Sequence, residues 1–147
     1  MVRVRCFDSV NAAELKAAWQ TLEERGVSTP FQKLRYAEPM ERHFLNTSRG
    51  MACHCLVEWH DKPALIIPLV KSKKWGVKTI TFLDYYVADH QFPIFDPDLL
   101  NDIYQHVDQG MLENTIRSAL PEHDVLSARR WLDRLECYDN PLRGWVG

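Results

Sequence analysis

A proline inside the most apolar run of this chain restricts the sheet that the sequence can form. The run Ala64–Val70 reads ALIIPLV and has the composition of a strand. Pro68 lies within it and has no amide hydrogen to donate to a strand ladder. A strand that is paired on both sides cannot accommodate proline in its middle. We therefore expect this strand to bend at Pro68 or to leave its neighbour there.

The runs on either side complete an antiparallel meander of three strands. Met51–Trp59 precedes the proline-containing run and Val77–Leu83 follows it, with the turn sequences HDKP and SKKWG between them. Apolar residues alternate along Met51–Trp59, which predicts a strand buried on one face only.

The remaining segments predict a mixed fold. They comprise a strand over Met1–Phe7, a helix capped by Asn11 and ended by Gly26, a helix over Leu34–Leu45, a helix over Leu99–Leu120 capped by Asp98, a strand over Asp124–Ala128 and a helix over Ala128–Glu136. The order β-α-α-β-β-β-α-β-α predicts an α/β (α+β) layer fold, and the 147 residues fit one domain, 1–147.

Bulk properties exclude several classes of function. The net charge of −2 gives no field that would recruit nucleic acid or an anionic membrane surface. No apolar run is long enough to cross a bilayer, and the N-terminus has no secretory signal pattern. We therefore predict a cytoplasmic protein with reduced cysteines, no nucleic-acid partner and no membrane span.

Several phrases of the sequence are similar to the N-terminal part of the CelD-type acetyltransferases. This family is related to the FemABX aminoacyltransferases within the GNAT superfamily. The phrases are AWQTLEERGVSTPFQKLRY, LVEWHDKPALIIPLV, KTITFLDYYVADHQFPIFDP and DVLSARRW, and the likeness covers roughly Leu15 to Arg130. The likeness is a diffuse pattern spread over most of the chain.

The resemblance implies a GNAT-like mixed sheet and a division of labour. In the family, two GNAT-like halves form one longer chain, and the chemistry on acyl-CoA is attributed to the C-terminal half. This chain would then be the N-terminal, non-catalytic half that shapes the acceptor groove. Its partner would be a C-terminal catalytic half or a second subunit. The parent would transfer an acyl group to an amine or hydroxyl.

The glycines argue against a cofactor site in this chain. A GNAT site binds the pyrophosphate of acyl-CoA with bare amides at a Gln/Arg-x-x-Gly-x-Gly/Ala turn ahead of a helix. The chain has six glycines, and no two have that spacing before a helix. We therefore predict that this chain alone binds no cofactor, and we assign it no catalytic residue.

A polar cluster after the third strand of the meander is the candidate substrate groove. It comprises Asp84, Tyr85, Tyr86, Asp89 and His90. Tyrosine and histidine can relay protons, and aspartate can orient histidine. In the alternative interpretation, the tyrosines pack at a sheet edge while Asp89 and His90 form a polar turn.

Two further clusters suggest binding less strongly. Cys53, His54, Cys55 and His60 resemble a zinc set, but alternation on a strand separates His54 from the two cysteines, so we predict no metal site. A lysine-rich hairpin tip around Trp75 could contact a phosphate, although a solvated turn with a packed tryptophan is the expectation. The lysines are Lys71, Lys73, Lys74 and Lys78.

Two other functions remain open. The chain could be a stand-alone binding module that forms a homodimer or docks a protein partner through Trp131, Leu142 and Trp145. It could also be a self-contained acetyltransferase with an atypical cofactor site.

Overall fold

A computed structural model describes residues 1–47, 50–84 and 91–145 of the chain and has a mixed α/β fold. The first half contains β1 (Val2–Phe7), α1 (Ala13–Arg25), α2 (Leu34–Thr47), β2 (Met51–Ala52), β3 (His54–Trp59), β4 (Lys62–Ile67), β5 (Leu69–Lys74) and β6 (Val77–Phe82). The second half contains β7 (Ile94–Phe95), α3 (Pro97–His106), α4 (Gln109–Ala119), β8 (Val125–Ser127), β9 (Arg134–Leu135) and β10 (Tyr138–Asp139). The predicted α/β (α+β) class is confirmed.

Pro68 separates β4 from β5, and these two strands belong to different four-stranded sheets. One sheet has the order β1-β3-β4-β7 and the other has the order β2-β5-β6-β8. The segment before Pro68, β4, pairs with β7, whereas the segment after it, β5, pairs with β6. The expected departure from a neighbour at the proline is therefore confirmed.

Strand β3 is buried on both faces, so the prediction of a half-buried strand is wrong. The alternation itself is correct. Cys55 and Val57 face the core that α3 and α4 cover. Leu56 faces a second core, which α1 and α2 cover. The polar residues of the second face are also buried, and each has a hydrogen-bonding partner there.

The predicted single helix over 99–120 is two helices, α3 and α4, separated at Val107 and Asp108. Each helix begins at its own aspartate. Asp96, rather than Asp98, caps α3 and accepts bonds from two backbone amides. The Asp108 carboxylate accepts a 3.2 Å bond from the Met111 amide and so starts the second helix.

Two other helix predictions need correction. Helix α1 begins at Ala13, and its N-cap residue, Ala12, makes no side-chain capping bond, so Asn11 is not the cap. The predicted helix over 128–136 is replaced by the β9–β10 hairpin. The Asn140 side chain donates a 2.7 Å bond to the Leu132 carbonyl, and this tertiary contact holds the segment in a non-helical path.

Gly26 ends α1 for a different reason from the one the sequence suggested. Its φ of −98° is open to any residue, so it is not a left-handed cap. A Cβ atom there would lie 2.6 Å from each of two carbonyl oxygens, those of Leu22 and Phe95. The glycine is needed because α1 and β7 approach each other closely.

Candidate functional site

A groove of about 560 Å³ lies on the face of β5, β6 and β8 that points away from the core. Strand alternation places a row of hydroxyl side chains on this face. They are Ser72, Thr79, Thr81 and Ser127. Ile80 and Phe82, which alternate with the threonines, point the other way and are buried.

The strand register brings these hydroxyls together in pairs. Ser72 lies directly opposite Thr79, and Thr81 lies directly opposite Ser127. In the antiparallel pair of β5 and β6, such neighbours have Cβ atoms about 4.5–5.5 Å apart. All four side chains are only partly buried, so they can donate and accept hydrogen bonds with a ligand.

Charged residues line the ends of the groove. Lys73 and Lys74 lie at the end formed by the β5–β6 turn. Arg129 follows β8, so it lies towards the opposite end with Asp84. The described lining of the groove therefore combines hydroxyls in the middle with cations at both ends and the Asp84 carboxylate.

The deepest part of the groove contains Asp84 and Gln91, which are 7% and 2% exposed. The Gln91 amide nitrogen donates a hydrogen bond to the Asp84 carboxylate. The Gln91 backbone is held to the chain after β8, since its N–H donates to the Arg130 carbonyl at 2.8 Å. Within the described residues, the side-chain oxygen of Gln91 has no hydrogen-bond partner. A buried acceptor of this kind suits a donor N–H or O–H group.

Asp84 is the one member of the predicted groove cluster that the structure places, and it lines this groove. Tyr85, Tyr86, Asp89 and His90 lie outside the described residues, so their role stays a prediction. Sequence reasoning missed the hydroxyl row. The sequence signal that could have revealed this row is the presence of polar residues at every second position of β6.

His54 belongs to a buried hydrogen-bonded set with Glu41. Its Nε2 atom lies 2.7 Å from a Glu41 carboxylate oxygen. Its Nδ1 atom accepts a 3.2 Å bond from the Leu69 amide, so Nε2 carries the proton and donates it to Glu41. The same carboxylate accepts a 3.0 Å bond from the Val10 amide. The set is internally satisfied and structural.

The cysteines and histidines that resemble a zinc set in the sequence do not converge in the structure. Both nitrogens of His54 are occupied, and it faces away from Cys53 and Cys55. Across the described ranges, no three histidine, cysteine, aspartate or glutamate side chains are grouped closely enough to hold a metal ion. His60 lies at the β3–β4 turn, near the N-terminal amine.

Trp75 is 92% exposed, so the expectation of a packed tryptophan is wrong. It occupies the β5–β6 turn with Gly76, and both residues have positive φ, 55° and 80°. Positive φ at both positions is the pattern of a type I′ turn. A Cβ atom on Gly76 would meet nothing within 4 Å, so the tip projects into open space.

The proposed docking surface near the C-terminus is also wrong. Leu142 and Trp145 are 0% and 1% exposed and belong to the core. Trp131 is partly buried and donates a 3.2 Å bond to the Leu142 carbonyl. The C-terminal segment folds back, so the Leu142 and Trp145 side chains are not available to a partner.

No known protein family, curated protein or solved structure matches this chain. The described helices include none with the length and apolar character that a bilayer crossing requires.

Proposed function

We propose that this chain is the acceptor-binding half of an acyltransferase. In this proposal it is a GNAT-like domain of a cytoplasmic protein that shapes the acceptor groove. Transfer from acyl-CoA to an amine or hydroxyl is left to a C-terminal catalytic half or a second subunit. The hydroxyl-lined groove on β5, β6 and β8 is the observation that carries the proposal.

The groove chemistry suits a polar acceptor. Paired serine and threonine hydroxyls can bind the oxygens or nitrogens of such a ligand. The Gln91 side chain lines the groove, and its hydrogen bond to the adjacent Asp84 carboxylate holds that amide in place. Lysine side chains at the rim favour an acceptor that also has an anionic group.

The N-termini of α3 and α4, the two helices that follow β6, are poorly suited to bind acyl-CoA. This supports the proposal that another segment or subunit binds the cofactor. A pyrophosphate needs free amides and positive potential at a helix start. Helices α3 and α4 each have an aspartate carboxylate on their first amides, and α3 has Pro97, which lacks an amide hydrogen, as its first residue. Those carboxylates would repel a pyrophosphate.

Removing two hydroxyls from the groove tests the proposal. We expect amide chemical shifts to change along β5, β6 and β8 when small amines and polyols such as glucosamine and ethanolamine phosphate are added. Replacing both Thr79 and Thr81 with valine should weaken that binding about thirtyfold, since each of the two lost hydrogen bonds is worth about 1 kcal/mol. Titration monitored by NMR measures both effects.

Thr115→Val is the matched control, because the Thr115 hydroxyl bonds only within helix α4, to the Met111 carbonyl. It should bind the probes like the unchanged chain. Shift changes that avoid the groove, or equal affinity in all variants, would contradict the proposal. A calorimetric titration with acetyl-CoA should give no binding; tight binding would favour the self-contained acetyltransferase.

The exposed tip favours a second candidate function, a module that docks a protein partner. Trp75 is a large apolar side chain, and Lys73 and Lys74 beside it are exposed. Tryptophan is a common energetic centre of interfaces. The fitting partner is a protein surface with an apolar pocket and an acidic rim.

Replacing Trp75 with serine tests this second function. If the acidic partner is another copy of this chain, light scattering at high protein concentration should show self-association that weakens with salt and is lost in Trp75→Ser. Met111→Ser is the control, because Met111 is also exposed, at 61%, but lies on α4. Self-association that both variants retain would exclude the tip as the docking surface.

A further inference from the structure

Cys6 of β1 and Cys55 of β3 lie directly opposite each other in the antiparallel ladder. Opposed residues have Cβ atoms about 4.5–5.5 Å apart, and a disulfide spans about 3.5–4.5 Å. Both thiols are free. A backbone shift of about 1 Å would therefore be enough to join them.

The two thiols differ in access. Strand β1 is at the edge of its sheet and Cys6 is only partly buried, whereas Cys55 is 0% exposed. The hydrogen bond from Cys55 lowers the pKa of Cys6, and the same contact together with burial raises the pKa of Cys55. Cys6 is therefore the thiol that meets an oxidant first.

We propose that Cys6 and Cys55 are a redox modification site that forms a reversible cross-strand disulfide with a small-molecule disulfide, of the class of oxidised glutathione, as the oxidant. The Cys6 thiolate attacks one sulfur of the oxidant, forms a mixed disulfide and releases one thiolate. Cys55 then attacks the Cys6 sulfur and releases the second. The protein loses two protons and two electrons, and the oxidant becomes two thiols.

The other cysteines are poorly placed for this reaction. Cys53 shares the face of Cys55 but lies two residues away, and such diagonal neighbours are about 7–8 Å apart. Cys137 is exposed and lies beyond β9, in a different part of the chain. The pairing should therefore be selective.

The disulfide would fasten an edge strand to the centre of its sheet. It closes a loop that contains α1 and α2, so it restricts the unfolded chain. We expect the melting temperature of the oxidised protein to rise by about 10 °C. Because such bonds in reducing compartments are transient, the site would respond to oxidative conditions.

Mass spectrometry of the folded chain after treatment with oxidised glutathione tests the proposal. We expect the mass to fall by two hydrogen atoms, with a link that fragmentation of the non-reduced tryptic peptides assigns to Cys6 and Cys55. One tryptic peptide carries both Cys53 and Cys55, so the sulfur must be identified by fragmentation or by variants.

Cys6→Ser and Cys55→Val should abolish the internal link, whereas Cys53→Ala and Cys137→Ser should retain it. If Cys55→Val fails to fold, fragmentation of the wild-type peptide still decides which sulfur is joined. A link to Cys53, or glutathione attached at Cys137 with no internal link, would overturn the proposal. None of these readouts depends on the groove or on acyl transfer.

Discussion

Replacing Glu41 with alanine is expected to lower the free energy of unfolding by about 3–5 kcal/mol. The Glu41 carboxylate is the acceptor for the buried His54 ring N–H and for the Val10 amide. Without it, both buried donors are left with no alternative acceptor among their described contacts. Urea unfolding at neutral pH, followed by far-UV circular dichroism, measures the change.

Glu38→Ala is the matched control, because Glu38 lies on the same helix, α2. Its 2.8 Å ion pair with Lys16 joins side chains that are 30% and 40% exposed. Exposed pairs are worth about 0–1 kcal/mol, so this variant should be nearly as stable as the unchanged chain. Equal losses in the two variants would show that the buried set contributes no special stability.

The substitution Gly26→Ala should lower the free energy of unfolding by about 1–3 kcal/mol. The new methyl group would overlap the carbonyl oxygens of Leu22 and Phe95, and backbone atoms cannot rotate away as a side chain can. To relieve the overlap, β7 would have to move from α1. That movement would strain the 2.8 Å bond from the Val27 amide to the Phe95 carbonyl.

Gly144→Ala provides the comparison for this prediction. The nearest atoms to a Cβ at Gly144 are the carboxylate oxygens of Glu113, at 3.8 and 4.0 Å, which is ordinary contact. Thermal melts of the two variants should therefore differ by several degrees. If the Gly26→Ala and Gly144→Ala proteins had the same melting temperature, α1 and β7 could move apart with no loss of stability, and the prediction would be wrong.

The sequence predicts those parts of the fold that depend on local pattern. The meander, the break at Pro68 and the first strand follow from alternation, turn sequences and the missing amide hydrogen of proline. The division of 99–120 into two helices was not predicted, because the sequence pattern around Asp108 is compatible with one continuous helix. Only the structure shows that the Asp108 side chain caps the start of a second helix.

Other features depend on contacts between distant segments. Trp145 is buried because the last part of the chain folds back onto α4, and no local pattern in a loop-like ending indicates this. Glu41, in contrast, had a sequence signal. It falls at helical spacing with the buried residues Leu34, Ala37 and Phe44, so an acid on that stripe required a buried partner.

The candidate site was predicted only in part, because one of its residues has a local sequence signal and the others are brought together by long-range strand pairing. Asp84 stands out because it begins a polar cluster at a strand end. The groove hydroxyls are small residues that occur often on solvent-facing strands. They gain meaning only when the parallel pairing of β6 with β8, a long-range contact, places Ser127 beside Thr81.

The division at Pro68 also bears on how this chain can diversify. The hydroxyl groove belongs to the sheet of β5, β6 and β8, whereas Cys6 and Cys55 lie on β1 and β3 of the other sheet. The chain passes from one sheet to the other at Pro68, between β4 and β5. Substitutions that reshape the groove face of β6 and β8 therefore need no matching change in β1 or β7. Changes confined to the exposed face of β6 and β8 would leave the strand pairing of β1, β3, β4 and β7 as it is.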